Sequence, residues 1–179
     1  MATKNAGEIM VPIEQYPHVS YWSTLRQAVE KLEKATLEAH GKNSLPRALL
    51  VFDEQERLLG IVRRRDILRG LEPKFLRTMS IHHRRELFNI EVDANLVDLS
   101  TGKIAQEMHS QAETPVSEVM KPIVATVRHD DHLAKIVYKM LSRDVNLLPV
   151  LKDDKIIGVV RSVDVFREVA SMLHEQLPQ

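Results

Sequence analysis

The sequence predicts an α/β fold of the α+β kind: two β-α-β-β-α repeats packed as a pseudo-twofold pair, with a partly helical insert between them. Three observations carry that expectation. Glu8-Ile9-Met10-Val11-Pro12-Ile13 returns as Glu118-Val119-Met120-Lys121-Pro122-Ile123. Leu58-Leu59-Gly60-Ile61-Val62-Arg63 and the Asp66-Ile67 that follows return as Ile156-Ile157-Gly158-Val159-Val160-Arg161 and Asp164-Val165. Two landmarks repeated in the same order mark an internal duplication. Within each copy, moreover, β-prone runs alternate with apolar residues at helical spacing.

The second copy is the cleaner one. Ile123 to Val127 reads as a short strand and Arg128 to Asp131 as a polar break. Leu133, Ile136, Val137, Met140 and Leu141 fall at helical spacing, with Asp131 placed to cap the helix. Asn146 to Leu151 and Ile156 to Val160 form a hairpin about the turn Lys152 to Lys155. A closing helix begins near Ser162 and should bury Val165, Phe166, Val169, Met172 and Leu173. In the first copy, Tyr16 to Val19 is the opening strand, interrupted by Pro17. Ser23 or Thr24 caps a helix whose apolar face is Leu25, Ala28, Val29 and Leu32. Leu49 to Phe52 and Leu58 to Val62 make the hairpin, with Asp53 to Glu56 a turn of the same length as in the second copy. The domains expected are therefore 1–71, with an extra helix extension and loop over about 33–47, an insert over 72–112 with a helix around Lys103 to Gln111, and 113–179. No element is assigned to Ser80 to Ser100.

Composition narrows the function classes. At 44% hydrophobic and 28% charged, the chain of 179 residues has the make-up of a globular protein with a core, not of a disordered one. The absence of cysteine excludes disulfides, thiolate metal sites and a cysteine nucleophile. No leader-like apolar region and no run of about 20 apolar residues is present, so a cytoplasmic protein with no membrane partner is expected. Net charge is zero, but nine Lys or Arg against two acids between Arg57 and Arg85 face seven acids and one Lys between Glu86 and Glu118. The two stretches are expected to neutralise each other in the fold or across a dimer; the alternative is a polyanion site on the basic stretch. Arg63-Arg64-Arg65 lacks interleaved aromatics, which disfavours nucleic acid as a partner. His82-His83 and His129-x-x-His132 lack a third ligand at metal spacing, so no metal is expected. No phosphate loop, nucleophile elbow or zinc-protease motif occurs, and no enzymatic activity is expected.

Glu-apolar-Met followed shortly by Pro, the β-α-β-β-α unit, a strand ending in Leu148-Pro149-Val150, and Gly-apolar-apolar-x-x-x-Asp-apolar at the last helix resemble a tandem pair of cystathionine-β-synthase-type (CBS) domains, a Bateman module. The resemblance implies a regulatory module that binds adenosine-containing ligands (AMP, ADP, ATP or S-adenosyl compounds) in clefts between the paired sheets and signals occupancy to a partner. No cofactor is required; the nucleotide is an effector. No effector domain is recognisable in the sequence, so the regulated protein is expected on another chain. The alternative is a ligand-free scaffold for dimerisation and partner contact, its clefts closed by arginines. Bateman modules commonly dimerise through helices, and the stripes Leu133-Ile136-Val137-Met140 and Val165-Phe166-Val169-Met172 look too wide for one sheet to cover, so a homodimer is expected.

The site residues follow from the same comparison. Asp66 and Asp164 occupy equivalent places in the first turn of each closing helix. Such a carboxylate either neutralises the helix end, worth about 0.3–1 kcal/mol, or accepts hydrogen bonds from a diol; the resemblance implies ribose. Where the family carries Ser or Thr three residues earlier, this chain has Arg63 and Arg161. Each can engage phosphate with planar donors beside a helix N-terminus, fold onto the Asp three positions later, or face solvent. Ser162 can restore the missing hydroxyl one residue late. The adenine pocket carried over from the family nominates Val124, Ala125, Thr126, Leu148 and Pro149, with Tyr16, Pro17, His18, Leu50 and Val51 as first-copy counterparts. Because Val51 replaces the proline and Arg64 stands where the second copy has Ser162, the Asp164 site is expected to bind more tightly than the Asp66 site.

Overall fold

The repeated leader motif ends in a two-residue strand in each copy, and these short strands organise the sheets. In the computed structural model, which describes residues 4–39, 41–74, 77 and 94–175, β1 (Val11–Pro12) pairs antiparallel with the late strand β10 (Lys155–Arg161). Its counterpart β7 (Lys121–Pro122) lies beside β6 (Leu58–Arg63). Each leader thus completes the sheet of the other repeat. One sheet has the order β1-β10-β9-β8, with β9 (Leu147–Lys152) and β8 (Val127–Arg128); the other runs β2-β5-β6-β7, with β2 (His18–Ser20) and β5 (Ala48–Phe52). In both, the strand after the leader is parallel to the first hairpin strand, β2 to β5 and β8 to β9, and the hairpin is antiparallel.

The landmark glycines are explained by these crossings. A Cβ on Gly158 would lie 2.6 Å from the Val11 carbonyl oxygen and 2.7 Å from the Met10 sulfur, and one on Gly60 would run into the Lys121 carbonyl. A backbone carbonyl cannot step aside as a side-chain tip can. Gly158→Ala is therefore expected to cost about 1–3 kcal/mol through overpacking, read as a lowered urea midpoint; an unchanged midpoint would mean that β1 does not hold its register against β10.

Packing gathers the chain into two units that cut across the repeat boundaries. The first comprises the described parts of Met1–Pro17, Thr36–Pro46 and Pro122–Gln179; the second comprises those of His18–Ala35 and Arg47–Lys121. In the first unit, α1 (Ala6–Ile9) is capped by Asn5, whose side chain accepts from the Glu8 amide while Glu8 accepts from the Asn5 amide. The Ala6 and Gly7 amides donate to the Asp131 and His129 carbonyls, and Ala6 and Ile9 enter a core with Val127, Ile136, Met140, Leu148, Val150 and Val160. In the second, α2 (Leu25–Lys34) begins at Thr24, which shares a capping box with Gln27, and buries Leu25, Ala28 and Leu32 against Leu49, Val51, Val62, Ile67 and Val116.

Several expectations are corrected. Ile123 to Thr126 is irregular and the strand is confined to Val127–Arg128. His132, not Asp131, is the N-cap of α5 (Leu133–Arg143); Asp131 instead accepts from the Arg128 amide and the Lys135 ammonium, which ties the preceding turn to the helix. The hairpin turns differ in length: Asp153 and Asp154 form a tight two-residue turn, both at positive φ, whereas Asp53 to Arg57 makes a longer loop in which the Asp53 carboxylate accepts from the Gln55 and Arg57 amides. The extra segment of the first copy is not a longer helix. After α2 ends at Lys34 it forms an antiparallel hairpin, β3 (Leu37–Ala39) and β4 (Lys42–Ser44), turning at Gly41 with φ 71°. The insert helix, α4, is twice as long as expected, running over Ala94–Gln111; the rest of Ser80 to Ser100 and the His82-His83 pair lie outside the described residues.

The apolar stripes are also divided differently. Leu133, Ile136 and Met140 lie in the core, with Val137, Val169 and Met172 packed against it, while α3 (Arg64–Leu71) and α6 (Ser162–Glu175) close the two repeats. Phe166 at 73% exposure, Leu173 at 64% and Leu141 at 77% face outward, as does Val29 on α2. Successive helical positions rotate by about 100°, so a sheet that covers Val165, Val169 and Met172 turns Phe166 and Leu173 away.

Candidate functional site

The closing helices begin where β6 and β10 end in Arg63 and Arg161, and each start carries its Asp in the first turn. Asp66 and Asp164 are both about 1% exposed. Each is gripped by the arginine three residues earlier. Asp66 accepts from Arg63 Nε at 2.7 Å and Nη2 at 3.0 Å, and from the Arg63 amide at 3.1 Å. Asp164 accepts from Arg161 Nε at 2.6 Å and Nη2 at 2.7 Å. Of the three roles open to these arginines, the structure shows the ion pair with the downstream Asp in both copies. Burial opposes ionisation of Asp66, but the Arg63 hydrogen bonds and the charges of Arg63 and Lys121 outweigh it and hold the carboxyl below the usual range.

The two pairs differ in their surroundings. Arg63 keeps 38% of its side chain exposed; Arg161 keeps 9%. Arg161 is enclosed in part by groups from the first repeat. Its Nη1 donates to Ser44 Oγ at 2.9 Å, on β4, whose hairpin is anchored by the buried Leu37. Tyr16 is 2% exposed within the same unit and feels the charges of both Arg161 and Asp164; burial pushes its phenol up to about 12, with Arg161 drawing it down and Asp164 raising it. Arg167, one helical turn beyond Asp164, brings Nη1 to 3.6 Å from Asp164 Oδ1.

Tyr16 and His18 were expected to line one pocket with Asp66. They part instead, because the chain leaves one unit after Pro17 and enters the other at His18. Tyr16 joins Asp164; His18 is exposed on β2, opposite Leu50 and edge-on to Phe52 at 5.7 Å. Leu50 and Val51 are fully buried. Val124, Ala125 and Thr126 do line a surface depression of about 340 Å³, together with Tyr138, Lys139, Ser142 and Arg143 of α5. Lys139 Nζ donates to the Thr126 carbonyl at 2.6 Å there. Leu148 and Pro149 do not line it: Leu148 is core, and Pro149 is buried opposite Val159. Ser162 is exposed on the first turn of α6, its amide donating to the Asn146 carbonyl. Ser44 and Arg167 were missed. Two short runs flanking a glycine turn are the sequence signal for the hairpin, and Arg167 repeats Arg69, so the full period reads Arg-x-x-Asp-x-x-Arg in both copies.

The CBS domain pattern matches residues 6–73 and 116–171. The chain belongs to the CBS domain family. Its fold is that of solved CBS-domain pairs. A CBS domain-containing protein from Kribbella flavida superposes with a TM-score of 0.65 at 18% identity, covering 93% of this chain and 99% of that one. CBSX2, solved in complex with AMP, gives 0.60 at 20% identity over 95% and 98% of the two chains. The cytosolic domain of the Mg²⁺ channel MgtE, solved in complex with ATP, gives 0.56 at 22% identity over 92% of this chain and 48% of that one. At these identities the likeness to the CBS chain is one of fold. A homoserine O-acetyltransferase of Methanohalobium evestigatum is 34% identical over 79 residues, 44% of this chain. An uncharacterized protein of Methanocaldococcus jannaschii is 38% identical over 61 residues, 32% of it. The CBS chain spans only 16% and 28% of those two relatives' own lengths. Among the described residues no helix is long and apolar enough to cross a membrane, and no group of three or more His, Cys, Asp or Glu could hold a metal ion.

Proposed function

We propose that this CBS-domain pair is a non-catalytic, cytoplasmic regulatory module that binds an adenosine-containing ligand at the Arg-Asp pairs closing each repeat and signals occupancy to a partner protein. The observation that carries the reading is the pair of buried first-turn carboxylates, Asp66 and Asp164, each held by a cationic fork at the N-terminus of a helix. A carboxylate that accepts from a guanidinium can accept from a ribose diol in its stead, and the released guanidinium, with the helix end beside it, is a phosphate ligand. Two structural relatives solved with AMP and with ATP support an adenine nucleotide as the effector class. Around Asp164 the phenol of Tyr16 and the hydroxyl of Ser44 add polar groups that come from the other repeat, so a ligand there would touch both halves of the sequence. That joint contact is how occupancy would reach the rest of the chain.

The module is proposed to act as a homodimer through α5 and α6. With Leu133, Ile136 and Met140 taken up by the core, the interface falls to Tyr138, Leu141, Phe166 and Leu173, all more than 60% exposed. The ligand reading is tested by calorimetry with AMP, ADP, ATP and S-adenosylmethionine, with guanine nucleotides as the comparison. Binding of at least one adenosyl compound is expected, and a bound ligand should raise the unfolding midpoint in proportion to its occupancy. No heat and no midpoint shift at millimolar ligand would sink it in favour of a scaffold whose clefts are shut by Arg63 and Arg161.

A further inference from the structure

Resting on that reading, we infer that Arg167 joins Arg161 in binding an anionic phosphate group at the Asp164 site, making that site selective for nucleotides over neutral adenosine and cationic S-adenosylmethionine. Arg167 Nη1 is buried yet makes no hydrogen bond among the described residues. Its nearest anion, Asp164 Oδ1, lies at 3.6 Å, beyond hydrogen-bonding reach. That oxygen is already engaged by Arg161 Nη2 at 2.7 Å, and the second carboxylate oxygen by Arg161 Nε at 2.6 Å. Buried polar donors are almost always satisfied, so this one has room for an acceptor.

The charge count gives the sign of that group. Arg161 and Arg167 bring two positive charges to one carboxylate, Asp164. The neighbouring Glu168 does not offset the surplus, because it pairs with Lys4 at 2.9 Å. Tyr16 and Ser44, the other polar groups of the cluster, are neutral, the phenol held protonated by burial. One positive charge is left beside the buried Asp164, on a side chain that is 29% exposed but whose Nη1 is buried. A phosphate oxygen satisfies both the donor and the charge. A sulfonium would meet repulsion, and adenosine alone would leave the donor as it is. The first repeat does not reproduce the arrangement: Arg69, at the same place in the period, is exposed.

Calorimetry with adenosine, AMP and S-adenosylmethionine on the unmodified chain, Arg167→Ala and Arg167→Gln tests this, with Arg69→Ala as control. The unmodified chain should bind AMP at least tenfold more tightly than the other two. Both Arg167 variants should lose about tenfold or more on AMP, the range for a charged hydrogen bond, and less than twofold on adenosine; Arg69→Ala should move AMP by less than twofold. Equal losses on AMP and adenosine, or none, would overturn the inference while leaving the adenosyl-binding reading intact. If no adenosyl compound binds the unmodified chain, that reading fails and nucleotide selectivity with it, and pyrophosphate then decides whether Arg167 is an anion ligand: a rise in the unfolding midpoint that Arg167→Gln abolishes keeps that role, and no rise, or one the variant retains, ends it.

Discussion

Asp164→Ala should lower folding stability by about 3–5 kcal/mol, the range for removing one partner of a buried ion pair, and Asp66→Ala by clearly less. The two positions share a sequence period and a hydrogen-bond pattern, so the difference comes from what surrounds the arginine left behind. Arg161 has 9% of its side chain exposed, at the end of β10, and donates to the hydroxyl of Ser44; without Asp164 its charge is stranded, with Arg167, one turn beyond position 164, adding repulsion. Arg63 has 38% exposed and can turn to water. Urea unfolding of both variants measures this. Equal losses would show that the enclosure of Arg161 by the first-repeat hairpin is not maintained in solution. The expected greater loss of ligand affinity in Asp164→Ala has therefore to be measured at a temperature where that variant remains folded.

Met140→Asp should unfold the unit that contains it, while Phe166→Asp should leave the fold intact and split the proposed dimer. Before burial is known, both residues belong to apolar helical stripes of equal standing. Met140 is 7% exposed and packed with Ile136, Leu148 and Val150, so a carboxylate there is an unpaired buried charge, expected to cost of order 4–5 kcal/mol or more. Phe166 is 73% exposed and its replacement should alter monomer stability by about 0.5 kcal/mol or less. Circular dichroism should show loss of cooperative melting for the first variant only. Sedimentation should give twice the chain mass for the unmodified protein and the single mass for Phe166→Asp. A folded Phe166→Asp dimer would move the interface elsewhere.

What was legible in the sequence is what local chemistry and repetition can encode. The duplicated leader and the duplicated Gly-apolar-apolar run placed the repeats; the Ser-Thr pair before Leu25 announced the helix that Thr24 caps; the Arg-x-x-Asp period put a carboxylate and a guanidinium on one face of a first turn, where they meet in both copies. These depend on residues a few positions apart, whose encounter the backbone geometry of a strand end or a helical turn already guarantees. The antiparallel hairpins belong to the same class, although the turn lengths did not, since two aspartates at positive φ and a five-residue Asp53 loop look alike as strings of polar residues.

Only tertiary structure decided which copy each leader serves. Val11 lies opposite Val159 rather than beside its own repeat, a pairing across nearly the whole chain that no period announces, although the glycines it requires were visible as motif residues without a cause. The same exchange took Tyr16 to Asp164 and left His18 with Leu50, and brought Ser44 from an unassigned loop onto Arg161. It also determined exposure: apolar helical positions promise burial somewhere, but a sheet covers only the arc that faces it, so Met140 became core and Phe166 surface. Sequence determined the repeats and the chemistry each closing helix carries. Long-range packing determined how deeply each charged pair is buried, because burial depends on what the rest of the chain lays over a residue, and no local pattern records that.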